Sequence, residues 1–237
     1  MVVNTPSDEV NEAVAEHTWA LILALARRIV ESDEAVRRGG YKGWEPDIFI
    51  GTNIIGKTLG IVGLGRIGSM VARRAKGYNM TVLYNKHDPD PEAEKELGVT
   101  FASLDELLAK SDFVSLHVPL TDETRHMINK ETLAKMKKGS FLINTARGPV
   151  VDERDLIEGL KSGQLGGVAL DVFDNEPNID PELLAMPNTI TTPHIASATL
   201  EARNKMGEMV VEAILDTLEG EKPTAIVNEE VWQKRRK

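Results

Sequence analysis

The chain has 237 residues, a formal net charge of −9 and no cysteine. The lack of thiols excludes disulfides, thiolate catalysis and cysteine-held metal, and no metal site is expected; the negative charge argues against nucleic acid or an anionic membrane as the main partner. A content of 41% hydrophobic and 27% charged residues suits a globular domain with a real core.

The N-terminus is acidic where a signal peptide is positive, and the densest apolar run, Trp19 to Ala26, is far too short to span a bilayer. A cytoplasmic protein is therefore expected. Ser7, Asp8 and Glu9 follow Pro6 as a capped, acidic first turn, and one long helix is predicted from Ser7 to about Arg38. Val10, Val14, Leu21, Ile22, Leu25 and Ile29 keep helical spacing, and between Trp19 and Ala26 the helix is apolar on nearly every side. Gly39, Gly40, Gly43 and Pro46 end it.

From Lys57 onward short apolar runs alternate with amphipathic stretches. Strands are predicted at Leu59–Val62, Thr81–Tyr84, Phe113–Leu116, Phe141–Asn144, Val168–Leu170 and Thr189–Thr191. Helices are predicted near 66–78, 91–97, 104–110, 131–136, 152–161, 181–185 and 199–219. This alternation predicts an α/β fold of Rossmann type: a doubly wound parallel sheet with helices on both faces, core at 57–197. Without repeats or a flexible linker, residues 1–237 are expected to be a single dinucleotide-binding domain. The basic tail Lys234 to Lys237 reads as a solvated end.

Gly63-Leu64-Gly65-Arg66-Ile67-Gly68 closes the first strand of this alternation and opens a helix. Gly63 permits a tight turn, Gly65 lets backbone approach a pyrophosphate, and Gly68 lets helix and strand pack closely. The unpaired N–H groups at the helix start then hold phosphate. About twenty residues on, an acid would grip the ribose 2′-hydroxyl of NAD; the second strand instead ends Tyr84-Asn85-Lys86-His87. Lys86, with His87 beside it, can neutralise the 2′-phosphate of NADP, so NADP(H) is favoured over NAD(H). As a solvated residue followed by Asp88, Lys86 would leave either cofactor open.

Three polar segments fall just past later strands: Asn144 to Gly148, Asp171 to Pro177, and Thr192 to Ser197. The carboxyl ends of parallel strands are where such sheets bind ligands. Together, GLGRIG at 63–68, ARGPVVDE at 146–153, LDVFDNEP at 170–177 and PHIASAT at 193–199 resemble the D-isomer-specific 2-hydroxyacid dehydrogenase family. The resemblance runs from Val3 to about Asn228. HVPLTDET at 117–124 and the Tyr84-Asn85 pair look most like its glyoxylate and hydroxypyruvate reductases.

The resemblance implies His194 as the acid–base group, Glu176 holding the imidazole in one tautomer and favouring its charged form, and Arg147 binding the substrate carboxylate. It implies that Gly63, Gly65, Arg66, Ile67, Gly68, Asn85, Lys86, His87, Thr145 and Ala146 contact the cofactor. Val118 and Pro119 would line the nicotinamide pocket, and Asp171 would orient the carboxamide. A small 2-keto acid is the implied substrate. The family's N-terminal substrate lobe, with its carboxylate-gripping loop, would precede Val2 and is expected to be absent, leaving the site open. Two readings stand at this point: a reductase, or a cofactor-binding module or scaffold without turnover. A homodimer through the cofactor domain is expected, using the Trp19–Ala26 helix and the arm near Tyr41–Trp44.

Overall fold

The computed structural model describes residues 1–234; residues 235–237 of the basic tail lie outside it. Its contacts divide into two compact units, Ala15–Ala196 and a smaller one made of Met1–Val14 with the segment from Ser197 on.

The larger unit is built on one parallel sheet in the order β3-β2-β1-β4-β5-β6-β7. In chain order its elements are α1 (Asp8–Ala26, from Ala15), α2 (Ile29–Arg37), β1 (Thr58–Val62), α3 (Arg66–Ala75), β2 (Thr81–Asn85), α4 (Pro91–Leu97), β3 (Thr100–Phe101), α5 (Leu104–Lys110) and β4 (Phe113–Leu116). Then come α6 (Lys130–Lys135), β5 (Ser140–Asn144), α7 (Glu153–Lys161), β6 (Leu165–Leu170), α8 (Pro181–Leu184) and β7 (Thr189–Thr191). The six expected strands are present, with β3 added at one edge. Leu59, Ile61, Phe113, Leu142, Ile143, Val168 and Ala169 are wholly buried, as strands covered on both faces must be.

The long helix expected over 7–38 is two helices. α1 stops at Ala26, Arg28 turns left-handed at φ 52°, and α2 starts at Ile29. A returning segment causes the stop. The Thr52 amide donates to the Ala26 carbonyl at 2.8 Å, capping an orphan acceptor of the helix end. Gly51 there lies so near that a Cβ would stand 3.0 Å from Arg27 Cα. The Arg28 guanidinium pairs with Glu31 at 2.6 Å and lies over the Phe49 ring, 5.5 Å from its centroid.

The apolar half of α1 is spent inside its own unit. Ala15, Trp19, Leu21, Ile22, Leu25 and Ala26 join one buried cluster with β1, α3 and β2. Trp19 stacks on Tyr78 at 5.1 Å and gives its indole N–H to the Val71 carbonyl at 3.1 Å. Of the Trp19–Ala26 stretch expected to face a second copy, Ala20 is exposed and Leu23 and Ala24 are partly exposed. Exposed apolar residues on α2 and the arm after it include Ile29, Val30, Val36, Tyr41, Trp44, Ile48 and Ile50; α9 (Leu200–Glu219) exposes others, Leu200, Val211 and Leu218 among them.

In the smaller unit, Val3 and Ile226 form an antiparallel bridge, flanked by Asn4 N to Ala225 O and Val227 N to Val2 O, both at 2.9 Å. It holds the first turns of α1, with α9, capped by Thr199, and α10 (Glu229–Gln233).

Candidate active site

The glycine turn lies where the order of strands reverses, between β1 and β4. Gly63 adopts φ 99°, and a Cβ on it would stand 2.7 Å from the His117 carbonyl and 2.9 Å from Val118 Cγ1. The turn after β1 is thus pressed on the segment after β4 that carries Val118 and Pro119. A Cβ on Gly68 would strike the Gly63 carbonyl, so β1 and α3 approach as closely as a bare backbone allows. Gly65, by contrast, faces open space within 4 Å. The helices α4, α5, α6 and α7 open on side-chain caps from Asp90, Ser103, Asn129 and Asp152. α3 opens on Gly65 with no side-chain cap, leaving amide donors and the positive end of the helix dipole for an anion. A closed floor, an open Gly65 and uncapped amides fit a pyrophosphate.

At the end of β2, Asn85 turns its carboxamide inward, donating to the Ala102 carbonyl at 3.0 Å. Lys86 is exposed and pairs with Asp90 at 2.9 Å, and that contact, ahead of an amide bond from Ala93, holds Asp90 below the usual carboxylate range. His87 is almost wholly exposed, 3.3 Å from Asp88. Thr145 and Ala146 are buried beyond β5, and Thr145 Oγ1 lies 2.9 Å from Thr18 Oγ1 of α1.

The Arg147 turn is shaped by Asn144, 1% exposed, which accepts from the Ala146 amide and donates to the Arg147 carbonyl, both at 3.0 Å. Arg147 itself is exposed. Gly148 is pressed on the next loop: a Cβ would strike the Phe173 carbonyl and stand 2.6 Å from Asp174 N. This fixes the Arg147 turn against the segment leading to Glu176. Glu176 Oε1 accepts from the Phe173 amide at 3.0 Å and Oε2 lies 2.9 Å from His194 Nδ1. Burial pushes the Glu176 carboxyl up, but the His194 ring and the Phe173 amide outweigh it and hold it below its ordinary value. An ionised carboxylate only accepts, so His194 donates from Nδ1 and leaves Nε2 for exchange with a ligand.

His194 has φ 54°. Its amide donates to the Asp171 carbonyl at 2.9 Å, while the Asp171 carboxylate takes the Ile195 and Ala196 amides at 2.9 and 2.8 Å. Asp171 is wholly buried. Its carboxylate and carbonyl are occupied in hydrogen bonds to the His194 loop. Sequence reasoning missed His17, whose Nε2 lies 3.1 Å from Thr192 Oγ1. Its signal was a His-Thr pair interrupting an apolar helix.

The family model of the "D-isomer specific 2-hydroxyacid dehydrogenase, NAD binding domain" matches residues 19–196. The chain belongs to this family. As a D-2-hydroxyacid dehydrogenase NAD-binding domain it is similar to the glyoxylate reductase of Thermococcus kodakarensis, 48% identical over 99% of this chain and 72% of that protein. The glyoxylate reductase of Korarchaeum cryptofilum is 49% identical over 99% of this chain and 71% of its own length. Among solved structures, a glyoxylate reductase from Paecilomyes thermophila superposes with a TM-score of 0.86 at 38% identity, over 96% of this chain and 68% of that one. A D-lactate dehydrogenase from Aquifex aeolicus, complexed with NAD and lactic acid, gives 0.79 at 37% identity, over 89% and 67%. Membership makes the chain part of an NAD(P)-dependent oxidoreductase. Among the described residues, no helix is long and apolar enough to cross a membrane, and no three or more His, Asp or Glu side chains are placed to hold a metal.

Proposed function

We propose that this chain reduces a small 2-keto acid, glyoxylate or hydroxypyruvate, to the 2-hydroxy acid, and prefers NADP(H) over NAD(H). The observation that carries the reading is the His194–Glu176 pair at 2.9 Å, with His194 Nε2 free, beside the Arg147 turn. The bound nicotinamide supplies the hydride. His194 gives a proton from Nε2 to the carbonyl oxygen, and Glu176 keeps Nδ1–H in place and the ring in one orientation. Arg147 binds the substrate carboxylate with its planar fork and polarises the carbonyl.

Gly63, Gly65, Arg66, Ile67 and Gly68 hold the pyrophosphate, while Val118, Pro119, Thr145 and Ala146 wall the nicotinamide side. Asp171 keeps its assigned part toward the carboxamide through the loop it anchors. The NADP(H) preference rests on the missing acid after β2 and on the exposure of Lys86 and His87; Lys86 exchanges Asp90 for the 2′-phosphate. Asn85 stays turned to Ala102 beneath them. The glyoxylate reductases among its relatives support the substrate class. The protein is further proposed to be cytoplasmic, and to form a homodimer through α2 and the arm, where Tyr41, Trp44 and Ile50 are 61, 82 and 66% exposed.

Oxidation of NADPH and NADH is followed with glyoxylate and with hydroxypyruvate, beside fluorescence titration of each cofactor. Turnover that His194→Ala abolishes while cofactor binding persists supports the reading; full turnover by that variant refutes it, and tighter NADH binding refutes the cofactor preference. A second reading is favoured by exposure, since the side chains of His194 and Glu176 are 54 and 37% accessible. In it the chain holds the cofactor without turning over substrate, and binding with no activity in the unaltered chain selects it.

A further inference from the structure

The buried polar chain beneath the His194 loop begins on α1. Asp171 is wholly buried, and burial drives its carboxyl up; hydrogen bonds with His17, Thr192, Ile195 and Ala196 outweigh burial and keep it ionised. An ionised carboxylate can only accept. The single hydroxyl hydrogen of Thr192 therefore goes to Asp171 Oδ1, 2.6 Å away. Thr192 Oγ1 is left as an acceptor toward His17 Nε2 at 3.1 Å, and His17 Nε2 also lies 3.6 Å from Asp171 Oδ1. Every acceptor in this chain points at His17, so its Nε2 carries a hydrogen.

On the other side of Asp171 three successive amides converge. His194 N reaches its carbonyl, and Ile195 N and Ala196 N reach its two carboxylate oxygens. A non-glycine residue holds φ 54° only where its surroundings enforce it, and these three bonds do so at His194. We propose that His17 is a positioning residue for keto-acid reduction: through Thr192 it fixes the Asp171 carboxylate, which sets the backbone that aims His194 at Glu176. This rests on His194 being the proton donor proposed above. The site then has a support that reaches to the middle of α1, 175 positions away in sequence from Thr192.

The test reads the five histidines of the full chain by two-bond proton–nitrogen NMR, which reports ring tautomers with or without turnover. His17 is expected to show hydrogen on Nε2. His17→Leu and Thr192→Val are expected to move the His194 ring signals and lower kcat on the order of 10-fold, as a small misplacement of a reacting group does. Both are restored in His17→Gln, whose amide donor stands near the position of Nε2, and in Thr192→Ser, which keeps the hydroxyl. Measurement well below each variant's Tm separates positioning from loss of folded protein. A bare Nε2 on His17, or His194 signals unchanged in both Leu and Val variants, overturns the proposal. If either variant does not fold, the other and the tautomer decide. Should His194→Ala keep its turnover, the proposed function fails while the tautomer and ring shifts still stand or fall alone.

Discussion

His117 gives the domain a calculable sensitivity to acid. It follows β4, its Nε2 lies 2.9 Å from Ser115 Oγ, and its backbone carbonyl backs Gly63. Burial alone pushes the ring from the ordinary 6.5 down to about 4. Between those values the unfolded chain binds a proton that the folded chain refuses, so stability is full above the unfolded value and falls as pH drops toward the folded one. The linkage relation gives a loss of about 2 kcal/mol between pH 7 and pH 5 for a sealed ring. The residue as a whole is only partly buried, so about 1 kcal/mol is expected. Glutamine at this position keeps a partner for Ser115 and cannot titrate. Urea unfolding of the unaltered chain and of His117→Gln, at pH 7, 6 and 5, isolates the difference from the carboxylates common to both. The advantage of the unaltered chain over the variant should shrink by about 1 kcal/mol across that range. Parallel pH profiles would refute the argument that burial excludes the charged ring.

Three other outcomes follow from close approaches and exposed faces. Gly148→Ala drives a Cβ into the Phe173 carbonyl and to 2.6 Å from Asp174 N, so the Arg147 turn must move by more than about 1 Å, which should cost at least roughly 100-fold in kcat; steady-state kinetics beside cofactor titration and a denaturation curve will check it. Gly68→Ala places a Cβ against the Gly63 carbonyl and 3.2 Å from Ile61 Cγ2, and should lower stability by about 1–3 kcal/mol and weaken cofactor binding about tenfold. That is read from denaturation curves and fluorescence. Trp44→Arg, at a residue 82% exposed, should leave Tm unchanged and shift light-scattering mass toward the monomer, since exposed aromatic anchors carry much of an interface. A monomeric unaltered chain at micromolar concentration would remove the dimer from the account.

Where a residue's surroundings are supplied by its own neighbours, the sequence was enough to place it. The buried runs of β1, β4 and β5 are mostly apolar because helices cover both faces, and that pattern survives in the letters. The Gly63–Gly68 spacing and the Glu176 and His194 segments were readable because their chemistry depends on residue type. β3 escaped because Thr100-Phe101 is too short to carry a period. The stop of α1 at Ala26 escaped for a different reason: Ile29 keeps the helical spacing, and what ends the helix is the amide of Thr52, returning from a later part of the chain. The resemblance singled out Asp171, yet its inward hydrogen bonds depend on the loop from Thr192 to Ala196. His17 depends on Thr192, and no local pattern reports a partner so remote.

The bridge between Val3 and Ile226 has its own consequence for how the chain acquires structure. Val2 donates to Asn228 Oδ1 across 226 positions, so these hydrogen bonds cannot form until almost all of the polypeptide is available. Closing so large a loop returns few contacts, and the bridge should be among the last features to form on refolding. In the native state it should be among the first to open, and the amides of Val227 and Asn4 should exchange with solvent well before those of β1 and β4. Val2 to Asn4 and Ala225 to Asn228 are thus zipped side by side by the least local pairing among the described residues.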